Sequence, residues 1–375
     1  MYFRDIIGQE ELKRQLIRSA HEGTVPHAQL FCGKAGTGAF PLALAQARYL
    51  NCTGRSDTDA CGRCPSCLKY SGLIHPDLHF IFPIVAVKER KKQICDDYLP
   101  EWRSFLATHT YFDLNLWLSH MDAQNKQALI YAKESNDILH KVSLRICEAT
   151  FRVLLIWMPE RMHPTCANKL LKLIEEPPQN TLIFMVSEEP ERILGTVLSR
   201  AQRINVGPVA ADALAKTLEA PPCELPAEEA VRQARLSHGD YLRMMENIRV
   251  SEENEFFLQQ FIRVMRNSWT RNVKEMRAFA DDMAGIGRER QKNFLSYCQR
   301  LIRENFICRF KAGEMNYMTA AEQTFSERFA PFVNERNVFD FIGELSGAEL
   351  HVTRNGHAKM IFFDLALRIT VLLKK

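Results

Sequence analysis

The chain has little net charge, no long uncharged apolar run and no internal repeat, and each absence removes a class of function. Its 375 residues carry 49 Lys and Arg against 45 Asp and Glu, a net of +4. That excess is too slight to demand a nucleic-acid partner. The opening Met1-Tyr2-Phe3-Arg4-Asp5 lacks the apolar stretch of a secretory signal. No uncharged run approaches the ~18 residues needed to span a bilayer, so no membrane contact is expected. The apolar segment from Ile361 to Leu373 carries Asp364 and Arg368 at helical spacing, the pattern of a packed final helix. The 11 cysteines are odd in number and mostly single. With no export signal, reduced thiols and a cytoplasmic location are expected. Cys32, Cys166, Cys298 and Cys308 lie in apolar or helical surroundings and read as small core residues. Length and an apolar fraction of 46% fit two or three globular domains.

A sharper absence lies in Gly33-Lys34-Ala35-Gly36-Thr37-Gly38-Ala39-Phe40. In a working phosphate loop, backbone N–H groups cradle the phosphates, a Lys reaches the β/γ-phosphates, and the next Ser/Thr holds Mg²⁺. Gly33, Gly36 and Gly38 fill the glycine places of G-x-x-G-x-G-K-[ST], but Ala39 stands in the Lys slot and Phe40 in the Ser/Thr slot. The flanks still fit, with Ala28–Cys32 reading as a strand and Leu42–Tyr49 as a helix. Three glycines alone also suit an ordinary strand–turn–helix connection. The run Val153–Met158 suits the centre of a parallel sheet. In a P-loop NTPase such a strand ends in Asp or Asp-Glu for Mg²⁺. Here it reads Met158-Pro159-Glu160, with the acid two residues late. Two independent losses fit abandoned hydrolysis better than one odd substitution. Lys34 follows the first glycine, at the wrong end of the loop to replace the missing Lys. A backbone cradle could survive, so ATP binding is doubtful but open.

Four cysteines are clustered, as Cys52-x8-Cys61-Gly62-Arg63-Cys64-Pro65-Ser66-Cys67. A C-x2-C knuckle aims two sulfurs at one ion, and four thiolates suit tetrahedral Zn²⁺. The rival is an iron–sulfur cluster, whose further Cys followed by Pro is absent, since Leu68-Lys69-Tyr70-Ser71 follows. With four sulfur ligands no position stays open for water, so the expected role is structural.

The pattern is that of an α/β parallel-sheet core followed by helices. Helices are expected at Glu10–His21, Glu134–Phe151, Cys166–Glu176 and Glu191–Leu198. Strands are expected near His79–Phe82, Thr181–Val186 and just after Ser199. Residues 84 to about 130 look like an insertion, helical and partly exposed, with a basic run at Lys88-Glu89-Arg90-Lys91-Lys92 and an aromatic stretch from Trp102 to Trp117. Residues 208–248 read as a small helical unit broken at Pro221-Pro222 and Pro226, and everything beyond 250 as helical. Between 261 and 310, 11 Lys/Arg stand against 5 Asp/Glu.

These stretches resemble the clamp-loader subunits of bacterial DNA polymerase III, of the AAA+ class. The resemblance rests on Phe3-Arg4-Asp5-Ile6-Ile7-Gly8-Gln9, Pro26-His27-Ala28-Gln29-Leu30-Phe31, the glycine loop, the four cysteines, His75-Pro76-Asp77, the stretch from Ala167 through Asn168 and Leu170-Leu171-Lys172 to Glu175-Glu176-Pro177-Pro178, and Ser199-Arg200-Ala201. It covers roughly residues 1 to 206; beyond 250 only helical character matches. The resemblance implies an AAA+ α/β domain over 1–206 with its zinc module at 52–67, a helical lid over 207–248 and a helical collar over 249–375. It further implies a hetero-pentameric ring with delta and gamma/tau subunits that loads a sliding clamp on primed DNA. In such rings Arg200, beside Ser199, would act in trans on ATP held by a neighbour. The degenerate loop places the chain with the non-hydrolysing subunits. Ala201 replaces the usual Cys, and the insertion exceeds the family pattern. Two alternatives stand beside this reading: an ATP-hydrolysing subunit of the same loader, and a zinc-dependent nucleic-acid-binding module using Cys52–Cys67 with the basic run.

Overall fold

The computed structural model describes residues 1–85, 93–124, 126–308 and 318–375; the basic run at 88–92 lies outside them. The described chain forms two compact units, Met1–Asn247 and Ile248–Lys375.

The first unit is built on a five-stranded, all-parallel sheet in the order β2-β3-β4-β1-β5. The strands are β1 (Ala28–Cys32), β2 (Leu78–Ile81), β3 (Arg152–Trp157), β4 (Thr181–Ser187) and β5 (Gln202–Asn205). Every residue of β1, β3 and β4 is buried. Apart from Gln29 and the terminal Arg152, Thr181 and Ser187, these strands are apolar, as a sheet covered on both faces demands. Register places Phe31 beside Val186 on one side and Ile204 on the other.

Around the sheet lie α1 (Glu10–Glu22), α2 (Ala39–Leu50), α3 (Pro65–Ser71), α4 (Leu99–Thr108), α5 (Leu114–His120), α6 (Glu134–Ser143), α7 (Pro164–Glu175) and α8 (Gly195–Leu198). They are followed by α9 (Ala211–Glu219) and α10 (Ala227–Leu236). Helix α2 is buried on all sides, and its composition, apolar except for Gln46 and Arg48, permits this.

Three local expectations are corrected. The helix expected to reach Phe151 stops at Ser143, where Leu144 turns extended. The following backbone finds a better partner, since the N–H groups of Cys147, Glu148 and Ala149 donate to the Asp77 carboxylate at 2.8, 3.0 and 2.9 Å. The helix expected at Glu191–Leu198 is split into a 3-10 turn, Pro190–Arg192, and the single-turn α8. The aromatic stretch of the insertion is helical, as α4 and α5, but interior: Trp102 and Trp117 are 0% and 1% exposed. Of the four single cysteines read as core, Cys32, Cys166 and Cys298 are buried, whereas Cys308 is half-buried.

Helix α11 (Tyr241–Thr270) begins in the first unit and gives most of its length to the second. The second unit continues with α12 (Val273–Gly285), α13 (Arg288–Cys308), α14 (Ala320–Phe329), α15 (Val338–Thr353) and α16 (Ala358–Leu372). Its core is rich in aromatics, with Phe261, Phe279, Phe294, Phe341 and Phe362 among the buried residues. Among the described residues no helix is long and apolar enough to cross a membrane.

Candidate functional site: the degenerate phosphate loop and its surroundings

Strand β1 delivers the glycine loop to the carboxyl edge of the sheet, where open parallel sheets bind ligands. The Gly33 N–H donates to the Ser187 carbonyl at 3.1 Å, tying the loop to the end of β4. Ala35–Thr37 forms a 3-10 turn, and Gly38 leads into α2 with φ of 95°, a conformation that only glycine adopts without strain. Gly36 is required for a different reason. A Cβ there would fall 1.8 Å from Asp240 Oδ1, so the start of α11 lies directly on the loop. Asp240 also caps that helix, accepting from the Arg243 N–H at 3.1 Å.

Phe40, in the Ser/Thr position of the motif, lies in an aromatic cluster. Phe40 is 5% exposed. Its ring lies 4.9 Å from Phe112, 5.9 Å from Trp102 and 6.5 Å from Trp157, all edge to face, the favoured geometry for such pairs. Trp102 in turn stacks on Phe82 at 4.2 Å and meets Trp117 at 5.0 Å. The insertion therefore fills the space next to the Ser/Thr slot with rings from α4, α5 and their connection. At the strand end, Met158 adopts a left-handed conformation with φ of 58° and opens a 3-10 turn, Pro159–Arg161. Glu160 is turned toward β4, where its carboxylate accepts from the Glu188 N–H at 3.3 Å.

Two adjoining clefts, of about 390 and 650 Å³, flank the exposed Lys34. Six carboxylates line them (Asp113, Glu188, Glu189, Glu191, Asp240 and Glu246) against three cations (Lys34, Arg203 and Arg243). Burial pushes the Glu188 carboxyl up to about 7, and the negative charge of Glu160 adds to this. Burial likewise raises Glu160. A polyphosphate entering here would meet an excess of like charge. Sequence reasoning missed Glu188 and Asp240, which stand far from the loop in sequence and match no motif.

Ser199 and Arg200 follow the last turn of α8, with Ser199 as its cap. The Ser199 hydroxyl donates to the Thr196 carbonyl at 3.2 Å. Arg200 donates from Nη1 to the Thr196 carbonyl at 2.8 Å and pairs through Nε with Glu175 at 2.9 Å. Its side chain is 30% exposed. Glu175 ends α7, so the Glu-Glu-Pro-Pro and Ser-Arg stretches, separate in sequence, meet at this ion pair.

The four clustered cysteines converge. The Sγ atoms of Cys52, Cys61, Cys64 and Cys67 all lie within 4.8 Å of one another, and those of Cys52 and Cys64 are 3.9 Å apart. Zn–S bonds of about 2.3 Å in a tetrahedron require sulfurs about 3.8 Å apart, so the set fits a metal ion of that size. Backbone N–H groups of Cys61, Cys64 and Cys67 point at sulfurs of Cys52, Cys61 and Cys64 at 3.2–3.4 Å, the pattern that stabilises thiolates. Pro65 opens α3 with Cys64 as its cap. The module also anchors the chain start: Asp59 accepts from the Phe3 and Arg4 N–H groups at 3.3 and 3.1 Å. The buried Arg48 donates to the Cys67 carbonyl at 2.9 Å.

A parallel sheet with a glycine loop at its edge, a converged four-cysteine module and a separate helical unit define a phosphate-loop α/β protein whose loop has lost its catalytic side chains. The chain belongs to the DNA polymerase III, delta subunit family, whose model matches residues 8–210. It is 25% identical over 249 residues to the DNA polymerase III subunit delta' of Bacillus subtilis, a match covering 66% of this chain and 60% of that protein. It is 24% identical over 212 residues to the subunit tau of the same organism, covering 56% of this chain and 30% of that one. Among solved structures, the Bacillus subtilis DNA clamp loader delta protein aligns over 96% of this chain and 99% of its own, at 11% identity and a TM-score of 0.39. The matches thus span less than two thirds of the length of these curated relatives.

Proposed function

We propose that this chain is a non-hydrolysing subunit of the DNA polymerase III clamp loader, of the delta prime kind. The observation that carries the reading is the aromatic filling around Phe40, joined by the carboxylate-rich cleft beside the loop. Both oppose binding and hydrolysis of a nucleotide, while family membership supports a place in the loader. Residues 1–206 serve as the AAA+ domain, 207–248 as its lid and 249–375 as the collar. The exposed apolar residues Met360, Leu367 and Val371 on α16, at 70%, 40% and 62% exposure, support an oligomerisation role for the collar. The chain works in the cytoplasm as a rigid member of a hetero-pentameric ring with delta and gamma/tau subunits, and contributes to loading the sliding clamp on primed DNA. The four cysteines hold a structural Zn²⁺.

Arg200 acts in trans, on the γ-phosphate of ATP bound by the neighbouring ATPase subunit, and Ser199 helps to orient it. Such an arginine contributes about 10³–10⁵ in rate. Its ion pair with Glu175 is half-exposed, at 30% and 55% for the two side chains, and surface pairs are worth about 0–1 kcal/mol, so releasing Arg200 to a partner costs little. In the reconstituted complex with primed DNA and clamp, Arg200→Ala should leave assembly intact and depress DNA-stimulated ATP hydrolysis. Unchanged hydrolysis removes the trans role. The similarity to tau keeps one other reading in view, an ATP-hydrolysing subunit, which steady hydrolysis by the purified chain alone would establish.

A further inference from the structure

The second unit holds a groove that none of this uses. It is a cleft of about 490 Å³ between α11 and α14. Met265 and Trp269, one turn apart on α11, face Phe325 and Phe329, one turn apart on α14. Trp269 is 48% exposed, whereas Trp102, Trp117 and Trp157 are at most 2% exposed. Each wall also carries one arginine, Arg266 on α11 and Arg328 on α14, and among the described residues no carboxylate lines the groove. Neither arginine has an ion pair among the described residues. Neighbours in the same unit do: Arg263 pairs with Asp282, Arg290 with Glu253, and Arg368 with Glu344.

We propose that this groove docks an acidic amphipathic segment of a partner protein, with bulky apolar side chains between α11 and α14 and flanking carboxylates on Arg266 and Arg328. The volume lies in the range of about 300–1,000 Å³ typical of binding pockets. Two helix walls with apolar residues at i, i+4 are the form that receives an amphipathic helix. Charge complementarity selects the partner's sign. A basic segment is repelled, and a neutral one leaves two guanidiniums partly desolvated without a counter-ion.

Trp269 makes the test direct, because the other three tryptophans are shielded from a solution quencher. Acrylamide quenching of the full chain would be followed with three short synthetic peptides: an amphipathic peptide of Leu, Phe and Asp, its Asn-for-Asp form and its Lys-for-Asp form. The acidic peptide should protect Trp269. The Asn form should bind roughly twofold to thirtyfold more weakly, as expected for two exposed charge pairs. The Lys form should give no protection. Arg266→Glu with Arg328→Glu should reverse the order of the acidic and Lys peptides. Equal response to all three peptides, or none to the acidic one, overturns the proposal. Protection that rises with protein concentration alone also overturns it, since a second copy of the chain would then be the occupant.

Discussion

Phe40→Ser restores the hydroxyl that a phosphate loop uses for Mg²⁺, yet it should damage the protein and gain nothing in nucleotide binding. The ring is 5% exposed and packs edge to face on Phe112, Trp102 and Trp157 at 4.9, 5.9 and 6.5 Å. Truncating a buried Phe costs about 3–5 kcal/mol, as lost burial plus the cavity left behind. The new hydroxyl would sit among rings without a partner, which places the cost toward the upper end. For a unit of this size about 1 kcal/mol corresponds to 2–4 °C in Tm, so a fall of about 6–20 °C is expected. The assay is thermal unfolding followed by near-ultraviolet circular dichroism, which Trp102, Trp117 and Trp157 dominate in the first unit. Each sample is run with and without MgATP. A bound ligand at 100 times its Kd would add about 2.7 kcal/mol, and no such gain is expected in either protein. A variant within about 1 kcal/mol of the parent would refute the packing argument. A MgATP-dependent rise in Tm would refute the claim that cleft and cluster exclude the nucleotide.

Cys64→Ser should abolish stoichiometric zinc, measured by metal analysis after gel filtration, and free the segment that Asp59 and Arg48 tie to the chain start; retained zinc would dismiss the four-thiolate site. For Asp77, burial alone would raise the carboxyl, but the N–H groups of Cys147, Glu148 and Ala149, with His75, hold it below its ordinary value. Its stabilising contribution is therefore complete above the unfolded carboxyl pKa of about 3.9 and is lost as pH falls through the lower folded value. Asp77→Asn should cost about 2–4 kcal/mol near neutral pH and flatten the acid limb of the stability curve; an unchanged acid limb would contradict the assignment. Glu188 has the opposite sign. Its folded carboxyl, pushed up to about 7, makes the first unit lose stability as pH rises from about 4.3 toward 7. Glu188→Gln should stabilise the protein above pH ~7 and matter little below pH ~4, and equal effects at both ends would dismiss the buried-acid reading.

The sheet strands, the loop glycines and the cysteine module were legible in the sequence because each is a local pattern. A continuous apolar run marks a strand buried on both faces, and C-x2-C spacing brings sulfurs together whatever the remaining fold. The same locality explains the loss seen at Ala39, Phe40 and Met158. What happens in the space beside those residues was not local. Trp102 and Phe112 come from an insertion that reads as surface helix until β2 and β3 bring it against Phe40. Asp77 ends α6's helical pattern by offering its carboxylate to backbone groups about seventy residues away. Asp240 and Glu188 belong to no motif, and only the approach of α11 and the end of β4 puts their charges at the glycine loop. Arg200 stood out in the sequence beside Ser199, but its ion-pair partner Glu175 follows from the packing of α7 beside α8. Short-range patterning thus determined which residues form strands, turns and thiolate knuckles. Tertiary structure decided which side chains share a dielectric, and so why buried rings pack against Phe40 and carboxylates line the clefts beside the glycine loop.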